Sequence, residues 1–343
     1  MDQKLTQLLT TTAQRMIAPG KGILAADESI TTINKRFTPI GLENTQENRQ
    51  AFRDMLLTTK SIGDYISGVI LFDETIRQNA LSGQPFVDVL KREEVLPGIK
   101  VDQGLYDMPS SPTEKLTKGL EGLDSRLKEY AAMGATFCKW RAVITISPTT
   151  PTDENIVQNA KDLAEYAKIC QQNGLVPMVE PEILMDGDHT RDDAAKASEK
   201  ILIALFKELV NEGVLLEGLI LKTSMVIAGK DSEQQETPDD VARATVGVFK
   251  RVLPKTLAGE AFLSGGQTEL QATENLNAMH QLGQLPWPLT FSYARALQDS
   301  ATKVWAGKAE NVTSAQKVFL HRAKMNSLAS LGKYTPEIEK ELA

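Results

Sequence analysis

The chain has 343 residues, 41% hydrophobic and 24% charged, enough to bury a full core as one large α/β domain or as two ordinary ones. A formal net charge of -7 and a pI near 5.3 argue against nucleic acid as a partner, so any site for an anionic small molecule has to be a local basic pocket. The two cysteines, Cys138 and Cys170, are too few for a disulfide framework and lack metal-ligand spacing, which fits packed thiols in a reducing cytosol.

From the N-terminus, residues 1–20 mix Asp2, Lys4 and Arg15 with scattered apolar residues. With no continuous hydrophobic stretch this reads as a helix of the folded protein, neither a signal peptide nor a membrane anchor. Pro19-Gly20-Lys21-Gly22 follows as a turn. Eight apolar runs rich in branched residues and bordered by Gly or Pro then read as buried parallel strands, near 20–27, 67–74, 97–103, 136–145, 175–183, 217–224, 259–265 and 287–293. Helical periodicity fills 46–62, 122–133, 153–173, 192–212, 238–253 and 268–283, and further helices run from about 295 to 332. Thr237-Pro238-Asp239-Asp240 is a helix start, with a capping hydroxyl, Pro at the first helical position and acids in the first turn. The alternation has no composition break that would mark a linker. It predicts one (β/α)8 TIM barrel over residues 1–343 with additional N- and C-terminal helices, rather than a doubly wound sheet, which would want a Gly-x-Gly-x-x-Gly after its first strand.

Ionisable residues gather at the strand ends. Lys222 closes the run Gly218-Leu219-Ile220-Leu221, and Asp27 follows Gly22-Ile23-Leu24-Ala25-Ala26. Lys100 and Asp102 flank Val101, Lys139 and Arg141 flank Trp140, and Glu180 and Glu182 flank Pro181, so each pair shares one face of its strand. In a (β/α)8 barrel these ends build the active site. A desolvated lysine beside a second cation such as Lys139 loses proton affinity and can attack a ketone or aldehyde, and the resulting iminium stabilises a carbanion. That chemistry cleaves carbon–carbon bonds without a metal. The plainer alternative for Lys222 is a snorkelling or salt-bridged residue. Glu180 and Glu182 either divide the proton work or form a structural ion network inside the barrel. Ser264-Gly265-Gly266, before the helix that begins near Thr268, is an anion nest with Arg295 as a forked donor, or else a glycine turn and a surface arginine. His189 sits in Asp186-Gly187-Asp188-His189, which looks superficially like a metal site. His280 and His321 both fall in helical segments, so no catalytic metal is expected. Trp140, Trp287 and Trp305 read as packing residues.

Matching blocks run through nearly the whole chain: 23–29 (ILAADES), 68–72 (GVILF), 98–102 (GIKVD), 139–141 (KWR), 179–184 (VEPEIL), Leu221-Lys222, 262–267 (FLSGGQ) and 289–293 (LTFSY). With these the sequence closely resembles class I fructose-1,6-bisphosphate aldolase. The resemblance implies reversible aldol cleavage of fructose 1,6-bisphosphate to dihydroxyacetone phosphate and glyceraldehyde 3-phosphate, without a cofactor. It implies that Lys222 forms the Schiff base, that Glu180 moves protons around the carbinolamine, that Asp27 takes the C4 hydroxyl proton, that Lys139 supports these charge changes and that Glu182 holds the lysines. By the same comparison Ser264, Gly265 and Arg295 bind the phosphate nearer the ketone, and Ser29, Thr32, Lys100 and Arg141 receive the other. A homotetramer is implied, in the cytosol, since the sequence shows no plastid transit segment. Other sugar phosphates on the same imine, or an inactive scaffold binding acidic partners, are the competing readings. Three departures stand out. Thr223-Ser224 occupy positions where the family often has Pro-Asn, Ala294 stands where Gly is common, and Glu341-Leu342-Ala343 offer no counterpart to the family's tail tyrosine. Ala294 would be strained if its backbone needed positive φ.

Overall fold

The computed structural model describes residues 2–340; Glu341-Leu342-Ala343, where the tail tyrosine was sought, lie outside them. In chain order the strands are β1 (Gly22–Ala26), β2 (Ile66–Leu71), β3 (Leu96–Lys100), β4 (Leu105–Met108), β5 (Ser111–Thr117), β6 (Phe137–Ile144), β7 (Val176–Ile183), β8 (Ile220–Thr223), β9 (Gly259–Phe262) and β10 (Leu289–Tyr293). Eight of them close a parallel barrel in the order β1, β10, β9, β8, β7, β6, β3, β2 and back to β1. The predicted (β/α)8 barrel is therefore the observed fold, and each of the eight expected runs supplies one of its strands.

The other two strands, β4 and β5, pair as an antiparallel hairpin in the connection between β3 and β6. The sequence reading missed it because β4 is largely exposed and shows no buried face. Helices Ile30–Phe37 and Phe86–Arg92 were also unforeseen. One expected segment ends early. The helix begun at Gln46 stops at Leu57, and the stretch after 295 is split into Arg295–Trp305 and Val312–Ala329. The split falls where Ala306 and Gly307 both take positive φ, at 49° and 74°, which ends a right-handed helix. Thr237 caps Pro238–Val252 with a reciprocal capping box, as its motif implied.

The barrel interior carries an apolar floor made of Ile23, Ala25, Ile70, Phe137, Val176, Met178, Ile220 and Ala261. Phe137 fills much of it because Gly98 stands opposite; a Cβ there would lie 2.2 Å from the Phe137 ring. Two residues further along, on the same strand faces, Ala25 gives way to Asp27, Phe137 to Lys139, Met178 to Glu180 and Ile220 to Lys222. The floor thus supports and dries the charged layer above it. Cys138 and Cys170 are free, buried thiols. Trp140 is fully buried and packs on Tyr166 at a 5.5 Å ring separation. Among the described residues no helix is long and apolar enough to cross a membrane.

Candidate active site

A cavity of about 1440 Å³ opens at the C-terminal ends of the barrel strands, and the twelve residues to which the resemblance gave roles all line it. At its base Lys139 and Lys222 alternate with Asp27 and Glu180. Lys139 Nζ lies 2.6 Å from Asp27 Oδ2 and 3.2 Å from Glu180 Oε2, while Lys222 Nζ lies 3.1 Å from Glu180 Oε1. All four residues are buried, none more than 9% exposed, so these attractions act where water screens little.

Electrostatics decide the charge states of three of them. Burial works to raise the carboxyls of Asp27 and Glu180, yet Lys139 and then Lys222 outweigh it and hold both below their ordinary values. Burial works to lower Lys139, but Asp27, Glu180 and Asp102 reverse the sign and keep it a firm ammonium ion. Glu180 is therefore shared by both lysines. Lys222, by contrast, has one carboxylate within ion-pair distance among the described residues, and it lines the cavity.

Around this base the remaining residues form a rim. Glu182 meets Arg141 through Nε rather than either lysine, which differs from its expected task of holding the lysines. Burial would lower Arg141, but Glu182 raises it on balance. Lys100 is folded onto Asp102, 2.5 Å from Oδ1 and 2.8 Å from the carbonyl oxygen. Ser29 caps helix Ile30–Phe37: its hydroxyl accepts from the Thr32 amide at 3.3 Å and lies 3.0 Å from the Thr32 hydroxyl.

Across the ring of strands from β3 and β6 stand β9 and β10. After β9, Ser264 to Gln267 make a tight turn closed by the Gln267 amide onto Ser264 O at 2.9 Å. Gly265 and Gly266 take φ of +56° and +88°, which no L side chain adopts readily. Among the described residues their amides have no backbone acceptor, so they are open to an anion in the manner of a nest. Arg295 follows β10, and no acid stands within ion-pair distance of it among the described residues; its Nη2 comes within 3.7 Å of where a Gly266 Cβ would be. Ala294 sits at φ -103°, so alanine carries no strain there. Ser29 and Thr32 follow β1, which pairs with β10 on one side and is separated from β3 by β2 alone on the other.

Sequence reasoning passed over Arg36 and Met185, which also line the cavity. Arg36 is held by Glu28 at 2.9 Å and Asp299 at 3.2 Å, and Glu28 in turn meets buried Arg53 at 2.7 Å. Its only local signal was Glu28, an acid directly after Asp27. Met185 packs on Gly266, a contact between distant segments with no signature. His189 is buried, and Gly229 donates to its carbonyl at 2.8 Å. No group of three or more His, Cys, Asp or Glu side chains among the described residues is arranged to hold a metal.

A parallel barrel with a buried amine in a charged base, and with cations and open amides at opposite sides of its mouth, is the arrangement expected of a lyase that works through a Schiff base on an anionic substrate. The sequence model of class-I fructose-bisphosphate aldolase matches residues 8–343. A protein of Xanthomonas campestris named "probable fructose-bisphosphate aldolase class 1" is 53% identical over 327 residues, covering 95% of this chain and 98% of the relative. The fructose-bisphosphate aldolase of Dictyostelium discoideum is 50% identical over 340 residues, covering 98% and 95%. The fructose-bisphosphate aldolase of Plasmodium falciparum, solved in a ternary co-crystal with TRAP and a small-molecule inhibitor, superposes with a TM-score of 0.96 at 51% identity, covering 98% of this chain and 97% of that one. The chain belongs to the class-I fructose-bisphosphate aldolase family. Its reaction is the reversible aldol cleavage of fructose 1,6-bisphosphate through a lysine Schiff base.

Proposed function

We propose that Lys222 is the lysine that forms this Schiff base, with Glu180 as its proton partner, Asp27 as the base at the C4 hydroxyl and Lys139 as the cation that keeps both carboxylates ionised. The observation that carries the assignment is the 3.1 Å approach of Lys222 Nζ to Glu180 inside the buried base. Glu180 is placed to take the proton the amine must lose, and then to return it to the departing oxygen. The amine nitrogen bonds to the ketone carbon, the carbinolamine oxygen leaves as water, and an iminium remains. When the C3–C4 bond breaks, its electron pair passes to C3 and the iminium as an enamine, while the C4 hydroxyl proton passes to Asp27. Glyceraldehyde 3-phosphate is released. Protonation at C3 and hydrolysis of the iminium then free dihydroxyacetone phosphate and the amine.

Ser264, Gly265 and Arg295 bind the phosphate nearer the ketone, supported by the free amides and unpaired guanidinium on the β9–β10 side. Lys100 and Arg141 take the other phosphate, helped by the Ser29 and Thr32 hydroxyls. Glu182 acts by orienting Arg141. The remaining assignments are that residues 1–343 form one domain and that the protein works in the cytosol as a homotetramer. Borohydride reduction in the presence of dihydroxyacetone phosphate is expected to leave a covalent adduct that peptide mapping places on Lys222, and Lys222→Met abolishes it. An adduct on any other lysine, or none, sinks the assignment.

A further inference from the structure

The ladder between β7 and β8 stops just where the chemistry begins. It pairs Met178 with Ile220 and Val179 with Leu221 and goes no further. The neighbouring ladders continue: β6 pairs with β7 through Ile144 and Ile183, and β8 pairs with β9 through Thr223 and Phe262. Glu180 and Lys222 therefore stand at the very end of the ladder between their own two strands, although their mutual distance is the one the first bond-forming step depends on.

Two hydroxyls bridge that gap. Ser224 Oγ accepts from the Ile183 amide at 3.1 Å and donates to the Ile183 carbonyl at 2.9 Å. It thus serves both main-chain groups of Ile183, as a strand partner would. Thr223 Oγ1 adds a longer bond to the Pro181 carbonyl at 3.3 Å. Ser224 is only 6% exposed, so water cannot readily substitute for it, and losing it would leave two buried main-chain groups unpaired.

We infer that Ser224 is a positioning residue for Schiff-base formation, tying the end of β8 to the end of β7 so that the Lys222 amine stays within reach of Glu180. The inference rests on the assignment of Lys222 as nucleophile and Glu180 as its proton partner. It predicts an effect on the rate of imine formation and little effect on substrate affinity, since Ser224 lies outside the phosphate-binding groups.

The test compares the parent with Ser224→Ala and with Ser224→Cys, which preserves side-chain size and supports a folded variant while weakening both hydrogen bonds. In quenched-flow borohydride trapping with dihydroxyacetone phosphate, both variants are expected to trap about tenfold more slowly, as a misplaced reacting pair should. Their kcat falls in step while KM stays within about twofold of the parent. Trapping at the parental rate in both variants overturns the inference, and so does a loss that appears in KM with kcat unchanged. If the parental adduct maps away from Lys222, it is the nucleophile assignment that fails.

Discussion

Lys139 stands between two carboxylates that would otherwise repel each other, 2.6 Å from Asp27 and 3.2 Å from Glu180. Removing it costs more than a contact, because two buried anions lose their common partner. Lys139→Met should lower kcat by about 10²–10³-fold, the scale of losing one preorganised electrostatic group, and should destabilise the fold by about 3–5 kcal/mol at neutral pH. The pH dependence follows from the directions of the shifts. Asp27 is held below its ordinary value, so its contribution is present above the unfolded carboxyl value near 3.9 and disappears as pH falls. Lys139 is held above its ordinary value, so its contribution is present below the unfolded lysine value near 10.4 and is lost as pH rises through the folded value. The margin between parent and variant in thermal unfolding should therefore be largest around neutral to mildly alkaline pH and shrink toward both extremes. A margin that peaks at either extreme contradicts this account of the charges.

At the scale of elements, β9 holds a carboxylate that the site does not use. Glu260 is fully buried, and neither oxygen has a hydrogen-bond partner. Phe262, two residues on along the strand, stacks on Phe249 at 5.7 Å, so Glu260 faces the helix layer and not the cavity. Burial pushes its carboxyl well above the ordinary range, opposed only by the Thr223 backbone at a geometry short of a hydrogen bond. A raised carboxyl favours folding fully below the unfolded value near 4.3, and stability declines as pH rises toward the folded value. Glu260→Met should thus be more stable than the parent, by a margin that widens above about pH 4.3 at up to roughly 1.4 kcal/mol per pH unit. Chemical denaturation at several pH values reads this directly, and a margin independent of pH would refute it. The same strand shows what was legible beforehand. Apolar runs bounded by Gly and Pro marked all eight barrel strands, because each is buried on both faces. The hairpin β4–β5 escaped because only one of the four β4 residues is buried, and helix Ile30–Phe37 escaped because just Ile33 and Phe37 form its buried face. Short elements carry too few periods to announce themselves.

Taken as a whole the molecule is acidic, at -7, yet its barrel mouth sets cations against each other across the ring. Arg141 and Lys100 come from adjacent β6 and β3, and Ser264 and Arg295 from β9 and β10 on the opposite side. Parity along single strands was enough to anticipate that Lys139, Glu180 and Lys222 would share an interior, since i and i+2 residues keep one face whatever the register. Ring order was not legible, because it depends on how strands far apart in sequence pair, and neither was the pairing of Glu182 with Arg141 or the bridge from Ser224 to Ile183. That order suits the proposed binding of two phosphates at opposite ends of an open-chain sugar, and it makes the distal end separable by experiment. Lys100 is tied to Asp102 at 2.5 Å and must share its charge with an arriving phosphate, but a hydrogen bond to a charged group is still worth about 1.5–3 kcal/mol. Lys100→Met should therefore raise KM for fructose 1,6-bisphosphate by about 10–100-fold. Fructose 1-phosphate keeps only the phosphate nearer the ketone, which the proposal assigns to the Ser264 and Arg295 end, so its kcat/KM should move by no more than about twofold. Steady-state kinetics with the two sugars decide the matter: an equal loss on both would mean that Lys100 acts on the reacting centre or on the fold, and not on the distal phosphate.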